Sequence, residues 1–84
     1  MTDERRFPIQ GGLTVSWPAA ERAYHTYARH FGRAQSLERL AERGGFGLRE
    51  FAMLYAFKNP ASEQGEPNDR RTVEILAAAD VRPA

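Results

Sequence analysis

The residues best suited to chemistry in this sequence are its two histidines, His25 and His30. On a helix, residues five apart point about 140° away from each other, so the two imidazoles are not placed to share a metal ion. Ser16 and Ser36 lie where helices are expected to begin, and their hydroxyls are explained as caps rather than as nucleophiles. The chain has no cysteine. The sequence therefore predicts no catalytic residue, no metal site and no cofactor.

The acidic side chains do not change that expectation. Glu38, Glu42 and Glu50 each lie next to an arginine in the sequence, as solvated ion pairs on helix surfaces do. Residues 44–47, Gly-Gly-Phe-Gly, precede an expected helix as a phosphate-binding loop would. They lack the strand before such a loop and the lysine and hydroxyl after it, so we interpret them as a helix stop and a turn. The chain is not predicted to be an enzyme.

Composition indicates one small domain over residues 1–84. The sequence is 42% hydrophobic and 27% charged, with a formal net charge of +1. That balance is typical of a folded domain and provides no overall field to attract nucleic acid. The polar start, MTDERR, and the lack of an apolar run of about 20 residues predict a cytoplasmic protein outside the membrane. A domain of this size buries only about 60% of its unfolded surface, which favours association and leaves a homodimer open.

The first part of the chain predicts a β-ribbon followed by a helix. Apolar residues 7–9 and 13–15 flank Gly11-Gly12, the pattern of a short hairpin. Ser16 can cap a helix that Gly32 ends. The apolar residues of this helix recur every three or four positions and predict one buried stripe. They are Trp17, Ala20, Tyr24, Tyr27, Ala28 and Phe31.

A basic strip is expected on the opposite side of this first helix. Helical geometry places Arg22, Arg29 and Arg33 nearly opposite the apolar stripe. Exposed arginines of this kind are usually only solvated. In a binding role, they would contact phosphates or an acidic protein surface without reading a base sequence.

Three further helices are expected. Ser36 can cap one of about two turns that Gly44-Gly45 stops, with Leu37, Leu40 and Ala41 facing inward. The third begins after Gly47 and reaches Phe57 or Lys58. Residues 59–67 read as a flexible loop, and Asn68 or Asp69 can cap a last helix ending near Ala79. Its predicted buried residues are Val73, Leu76 and Ala77.

The predicted fold is therefore mainly α, a small bundle of about four helices with a helix-turn-helix-like part and a short N-terminal β-ribbon. The third helix is apolar almost all round. Met53 and Phe57 project beside Arg49, away from the side that carries Phe51. One interpretation is that another element of the chain covers Met53 and Phe57 as core. The other is that they form the centre of an interface, because methionine and aromatic side chains edged by charge are typical of such centres.

Residues 37–56 resemble the helix-turn-helix motif of bacterial and phage repressors. The spacing of Leu40, Ala41, Gly45, Phe46, Phe51 and Leu54 carries that resemblance. It implies that Ala41 lets the two helices approach, that Gly45 makes the turn and that the following helix enters the major groove. The groove-facing positions would be Gly47, Leu48, Arg49, Ala52, Met53 and Ala56. Of these side chains, only that of Arg49 can hydrogen-bond a base edge.

A longer stretch, WPAAERAYHTYARHFGRAQSLERLAERGGFG, is similar to a recurring stretch in short uncharacterised proteins of bacterial genomes and phages. That resemblance implies a phage or mobile-element origin and supplies no functional residues. By analogy, small proteins of such origin often bind and block a host machine, as anti-CRISPR inhibitors do.

Two functional hypotheses follow. The first is a non-enzymatic protein that binds another protein complex through Arg49, Met53 and Phe57 with the basic strip, as a phage-derived inhibitor of a host nucleoprotein complex. The alternative is a helix-turn-helix transcriptional regulator, in which Arg49 reads a base and the basic strip contacts phosphates. Binding of duplex DNA that weakens steeply with salt would favour the second.

Overall fold

Four helices and a three-stranded antiparallel sheet form the described part of the fold, which confirms the predicted class. A computed structural model of the chain describes residues 5–56 and 68–84. The strands are β1 (Arg6–Ile9), β2 (Leu13–Ser16) and β3 (Arg82–Pro83), and the helices are α1 (Trp17–Phe31), α2 (Leu37–Glu42), α3 (Leu48–Ala56) and α4 (Asp69–Ala78). The expected loop over residues 59–67 and the expected helix end at Phe57 or Lys58 lie outside the described residues.

The predicted ribbon is present, and the end of the chain adds a third strand to it. β1 pairs with β2 with Phe7 opposite Val15, and β3 pairs with β2 with Thr14 opposite Arg82. No sequence pattern predicted β3. A strand of two residues is too short to show an alternating pattern, and β3 is defined only by its pairing with β2.

The helices begin at the expected caps. The hydroxyl of Ser16 accepts a hydrogen bond from the amide of Ala19, and the hydroxyl of Ser36 accepts one from the amide of Arg39. The side chain of Asn68 caps α4 in the same way. Each cap satisfies an amide that has no partner within its own helix. α1 ends as predicted at Gly32, which has a φ of +81°.

The core lies between the sheet, α1 and α3 and is rich in aromatic rings. Phe7, Val15, Phe46, Phe51 and Leu54 are its largest fully buried side chains. α1 and α3 pack together, and α4 also packs against α3. Within the described ranges, no helix has the length and apolarity needed to cross a bilayer.

Three predicted core positions are wrong. Phe31 is 67% exposed because it is the last residue of α1, beyond the elements that cover the earlier turns. Val73 is 65% exposed, and Ala77 is also exposed. The buried side of α4 carries Thr72, Ile75 and Leu76 instead. Each of these positions precedes a predicted one by one residue. The buried stripe is therefore turned by about 100° from the predicted stripe, the angle by which one residue advances a helix.

Gly45 allows the turn after α2 to lie against β1. Its φ is +77°, and an added Cβ would be 1.8 Å from the carbonyl oxygen of Pro8. The amide of Gln10 donates to the carbonyl of Phe46 at 3.0 Å, and Ile9 and Phe46 form a parallel bridge. The turn thereby covers the outer edge of β1, which protects an otherwise unpaired strand edge. The glycine expected to shape a helix-turn-helix thus also permits contact between turn and strand.

We expect Gly45→Ala to lower the free energy of unfolding by about 3 kcal/mol or more, because the new methyl group would push the turn away from Pro8. Gly44→Ala is the matched control, since Gly44 also has a positive φ but no atom within 4 Å of an added Cβ. It should cost only about 1–2 kcal/mol of backbone strain. Urea unfolding of both variants measures the difference, and equal losses would show that the close approach is unimportant.

Arg6 and Asp80 connect the ribbon to the end of α4. The guanidinium of Arg6 donates to the carboxylate of Asp80 at 3.1 Å and to its carbonyl at 2.6 Å, and it also bonds Thr14. Arg82 donates to the other carboxylate oxygen of Asp80 at 3.1 Å. The hydrogen bond from Arg82, together with that from Arg6, lowers the pKa of Asp80 below its ordinary value of 3.8.

A lowered folded-state pKa means that the contribution of Asp80 to stability is present above pH 3.8 and is lost as the pH falls through the folded-state pKa. We therefore expect Asp80→Asn to be less stable than the native chain at pH 7, and the gap to narrow as the pH falls below about 4. Asparagine tolerates the positive φ of this position. Thermal melts from pH 7 to pH 2 test this, with Glu42→Gln as the control; a gap independent of pH would contradict it.

Candidate functional site

α3 buries one side and presents the other to solvent. Phe51 and Ala52 are 0% exposed and Leu54 is 1% exposed, whereas Met53 is half-buried and Arg49 is exposed. Met53 is therefore neither enclosed in the core nor fully solvated. Phe57, which was predicted to extend this surface, lies outside the described residues. The assignment of both residues to an interface stays a prediction.

Arg49 already has a partner on the neighbouring helix. Its guanidinium forms an exposed ion pair with the carboxylate of Asp69, the first residue of α4. The pair connects α3 to α4, and it offsets the charge of Arg49 only in part because both side chains are exposed. A base edge in a DNA groove would have to compete with Asp69 for this guanidinium.

The structure separates the three arginines of the predicted basic strip. Arg33 lies after Gly32, beyond the end of α1, so its place on a continuous helical strip is wrong; it is 5.9 Å from the ring centroid of Tyr24. Arg29 is exposed near the end of α1. Arg22 lies over α3, with its guanidinium carbon 4.5 Å from the ring centroid of Tyr55. Only Arg22 therefore reaches the surface around α3.

Arg22 and Tyr55 form part of a groove where α1, α3 and α4 meet. The groove has a volume of about 340 Å³, near the lower end of the range for ligand pockets. It has apolar residues, an aromatic ring, two arginines and one glutamate. Its lining consists of Arg22, Tyr55, Ala56, Arg71, Glu74, Ile75 and Ala78.

This groove continues onto the solvent side of α3. Arg49, Met53 and Ala56 are spaced by four and three residues, so they share one face of the helix. Ala56 also lines the groove. We call the combined area the α3 surface, meaning the exposed face at Arg49, Met53 and Ala56 together with the groove. The sequence predicted Arg49 and Met53 as binding residues and Ala56 as a position that would face DNA, but it gave no sign of the groove between the helices.

Tyr55 and Arg71 are the groove residues that matter most and that the sequence analysis did not select. Tyr55 is half-buried, and its hydroxyl donates to the carbonyl of Ala78 at 3.5 Å. Arg71, Glu74 and Ala78 recur at helical spacing, which marks one face of α4. The sequence does not show that α1 faces this side of α4.

A second depression, of about 370 Å³, lies between α1 and α2. Trp17, Tyr24, His25, Glu38 and Arg33 are among its lining residues. Its charged residues carry both signs. His30 does not line it, and the part of the chain that the structure describes contains no group of three or more histidine, aspartate or glutamate residues that could hold a metal.

Comparison with protein-family models, with curated proteins and with solved structures finds no match to this chain. Any function proposed for this chain therefore depends on the geometry of the α3 surface.

The two sides of α3 should respond differently to truncation. We expect Leu54→Ala to lower the free energy of unfolding by about 2–5 kcal/mol, because it leaves a cavity in the core. Met53→Ala, one residue away, should cost only about 1 kcal/mol because part of that side chain is already in water. Urea unfolding of the two variants tests the difference. Equal losses would identify Met53 as a core residue and remove it from the candidate surface.

Proposed function

We propose that this chain is a non-enzymatic binding domain that docks onto another protein through the α3 surface. The observation that carries the proposal is that half-buried Met53 shares one face of α3 with Ala56, and that Ala56 lines a groove together with an aromatic ring and two arginines. Flexible methionine, aromatic and arginine side chains are enriched at the centres of protein interfaces. This combination supports protein recognition better than any chemistry that the described residues offer.

The alternative, DNA recognition by α3, is supported less well. Ala52 was one of the positions expected to face the major groove, and its side chain is completely buried. Arg49, the one base-reading side chain among those positions, is paired with Asp69. A recognition helix needs several polar side chains free to contact base edges. The formal net charge of +1 adds no general attraction to phosphate.

Within the class of protein-binding domains, we retain the hypothesis of a phage-derived inhibitor whose partner is a host nucleoprotein complex. The hypothesis rests on the resemblance expected for residues 17–47 to short phage and bacterial proteins, which stays a prediction. The α3 surface is compatible with that role because blocking a larger machine requires docking and no catalytic group.

Site-specific photo-crosslinking tests the proposed function. We expect a photo-reactive phenylalanine analogue at position 53 or at position 56 to give the same covalent protein adduct in lysate of cells that express the chain. The matched control carries the analogue at Glu42, an exposed position on α2, and should not give that adduct. Nuclease treatment should leave the adduct of positions 53 and 56 unchanged, since the contact is with protein.

A titration with duplex DNA is the counterpart of that experiment. We expect no binding of a mixed-sequence duplex at 50 mM salt. A complex that weakens by about 100-fold or more between 50 and 200 mM salt, and whose sequence preference relaxes in Arg49→Ala, would overturn the proposal in favour of the DNA-binding regulator.

A further inference from the structure

The groove between α1, α3 and α4 contains an arginine, Arg22, that rests on an aromatic ring. Among the described residues, Arg22 has an aromatic partner, the ring of Tyr55, and no ion pair. Arg49 pairs with Asp69, so the two arginines closest to α3 differ in this respect. A ring face attracts a guanidinium through its quadrupole but leaves the positive charge in place. Arg22 is therefore held in position while still able to attract an anion.

The contact with the ring also leaves N–H donors of the guanidinium available to an anion. The guanidinium carbon of Arg22 lies 4.5 Å from the centroid of the Tyr55 ring. A guanidinium in contact with a ring still has N–H donors in its own plane that can bind an anion. That fork matches the two oxygens of a carboxylate, and such bidentate pairs are among the stronger hydrogen-bonded contacts. The ring reduces the freedom of the arginine side chain before binding, which lowers the entropy cost of forming the pair.

The opposite wall of the groove adds positive charge. Glu74 is shared by Arg70 at 3.6 Å and Arg71 at 3.7 Å, distances of ion pairs rather than of good hydrogen bonds. One carboxylate thus serves two arginines. Among the residues that line the groove, the two guanidiniums of Arg22 and Arg71 are present with one carboxylate, that of Glu74. The excess charge favours a negatively charged occupant.

The inner lining of the groove indicates what its occupant needs besides a negative charge. Ile75 is buried beneath it, and Ala56 and Ala78 flank it with methyl groups. These residues offer no hydrogen bond from their side chains and suit an apolar group. A nucleic acid backbone brings phosphate without such a group, so the combination indicates a peptide in which a carboxylate lies next to an apolar side chain.

We infer that the α1–α3–α4 groove binds an acidic peptide segment of the partner protein, with a carboxylate on Arg22 and an adjacent apolar side chain over Ile75. This inference rests on the proposed function and specifies its partner by chemistry. The carboxylate lies within reach of both Arg22 and Arg71. The apolar side chain fills the space between Tyr55 and Ala78.

Amide NMR spectra of the labelled full chain test this with a defined probe. The tetrapeptide acetyl-Leu-Glu-Asp-Leu-amide, at about 1 mM and above, should shift the amide signals of Tyr55, Ala56, Ile75 and Ala78. The uncharged analogue acetyl-Leu-Gln-Asn-Leu-amide should bind at least about tenfold more weakly, because it cannot form the charged pair. A peptide of aspartate residues alone should also bind more weakly, because it has no apolar side chain.

Variants with the same loss of charge locate the contact. Arg22→Gln should weaken binding of the acidic tetrapeptide by about tenfold. Arg29→Gln, on the same helix and exposed, should leave it unchanged. Arg71→Gln should weaken binding as well, and it retains the stacking of Arg22 on Tyr55. The dispersed NMR spectrum of each variant confirms that it is folded.

Three results would overturn the inference: no shifts in the groove, equal loss in Arg22→Gln and Arg29→Gln, or a short duplex DNA that shifts the same signals more strongly than the peptide. The result of the peptide experiment can be distinguished from the result of the crosslinking test of the proposed function. If position 53 crosslinks a protein while the acidic peptide fails, the domain still binds a partner, but through other chemistry. If both fail, the proposed function falls as well.

Discussion

The packing of Phe46 is the interaction on which the rest of this structure depends. Its ring is 5.2 Å from that of Phe7, 5.7 Å from that of Tyr27 and 6.5 Å from that of Phe51, so one side chain joins the ribbon, α1 and α3. Its carbonyl accepts a hydrogen bond from Gln10. Aromatic pairs at these separations stabilise beyond their buried area. The short turn that carries Phe46 therefore determines where α3 starts and how it lies against α1.

The position of α3 in turn determines the surface that we propose as functional. The small core covers one side of α3, and Phe51, Ala52 and Leu54 are buried there. Met53 falls on the other side, where no described element encloses it completely. In a domain of this size, a helix that is apolar on two sides can satisfy only one of them internally. The half-buried side is then available to a partner.

The two arginines around this helix differ in their partners. Arg49 forms an exposed ion pair with Asp69 at the start of α4, whereas Arg22 rests on a ring and has no ion pair among the described residues. The arginine expected to read DNA is thus paired, and the arginine in the groove is not. On this difference between the two arginines we base the proposal of an acidic protein segment rather than a duplex.

The sequence by itself determined the features that depend on residues three or four positions apart. The caps at Ser16, Ser36 and Asn68, the end of α1 at Gly32 and the hairpin around Gly11-Gly12 are all of this local kind. A side-chain oxygen near a free amide, or a residue that accepts a positive φ, acts the same way in any fold.

Tertiary structure alone decided the features that depend on how distant elements meet. It exposed Phe31 and Val73, added β3 to the ribbon and brought Arg22 of α1 to Tyr55 of α3 and Arg71 of α4. Periodicity identifies the apolar side of a helix only approximately, and it cannot show how far the neighbouring elements extend or at what angle they cross. The candidate groove belongs to this second group, because its walls come from three helices that have no sequence signal in common.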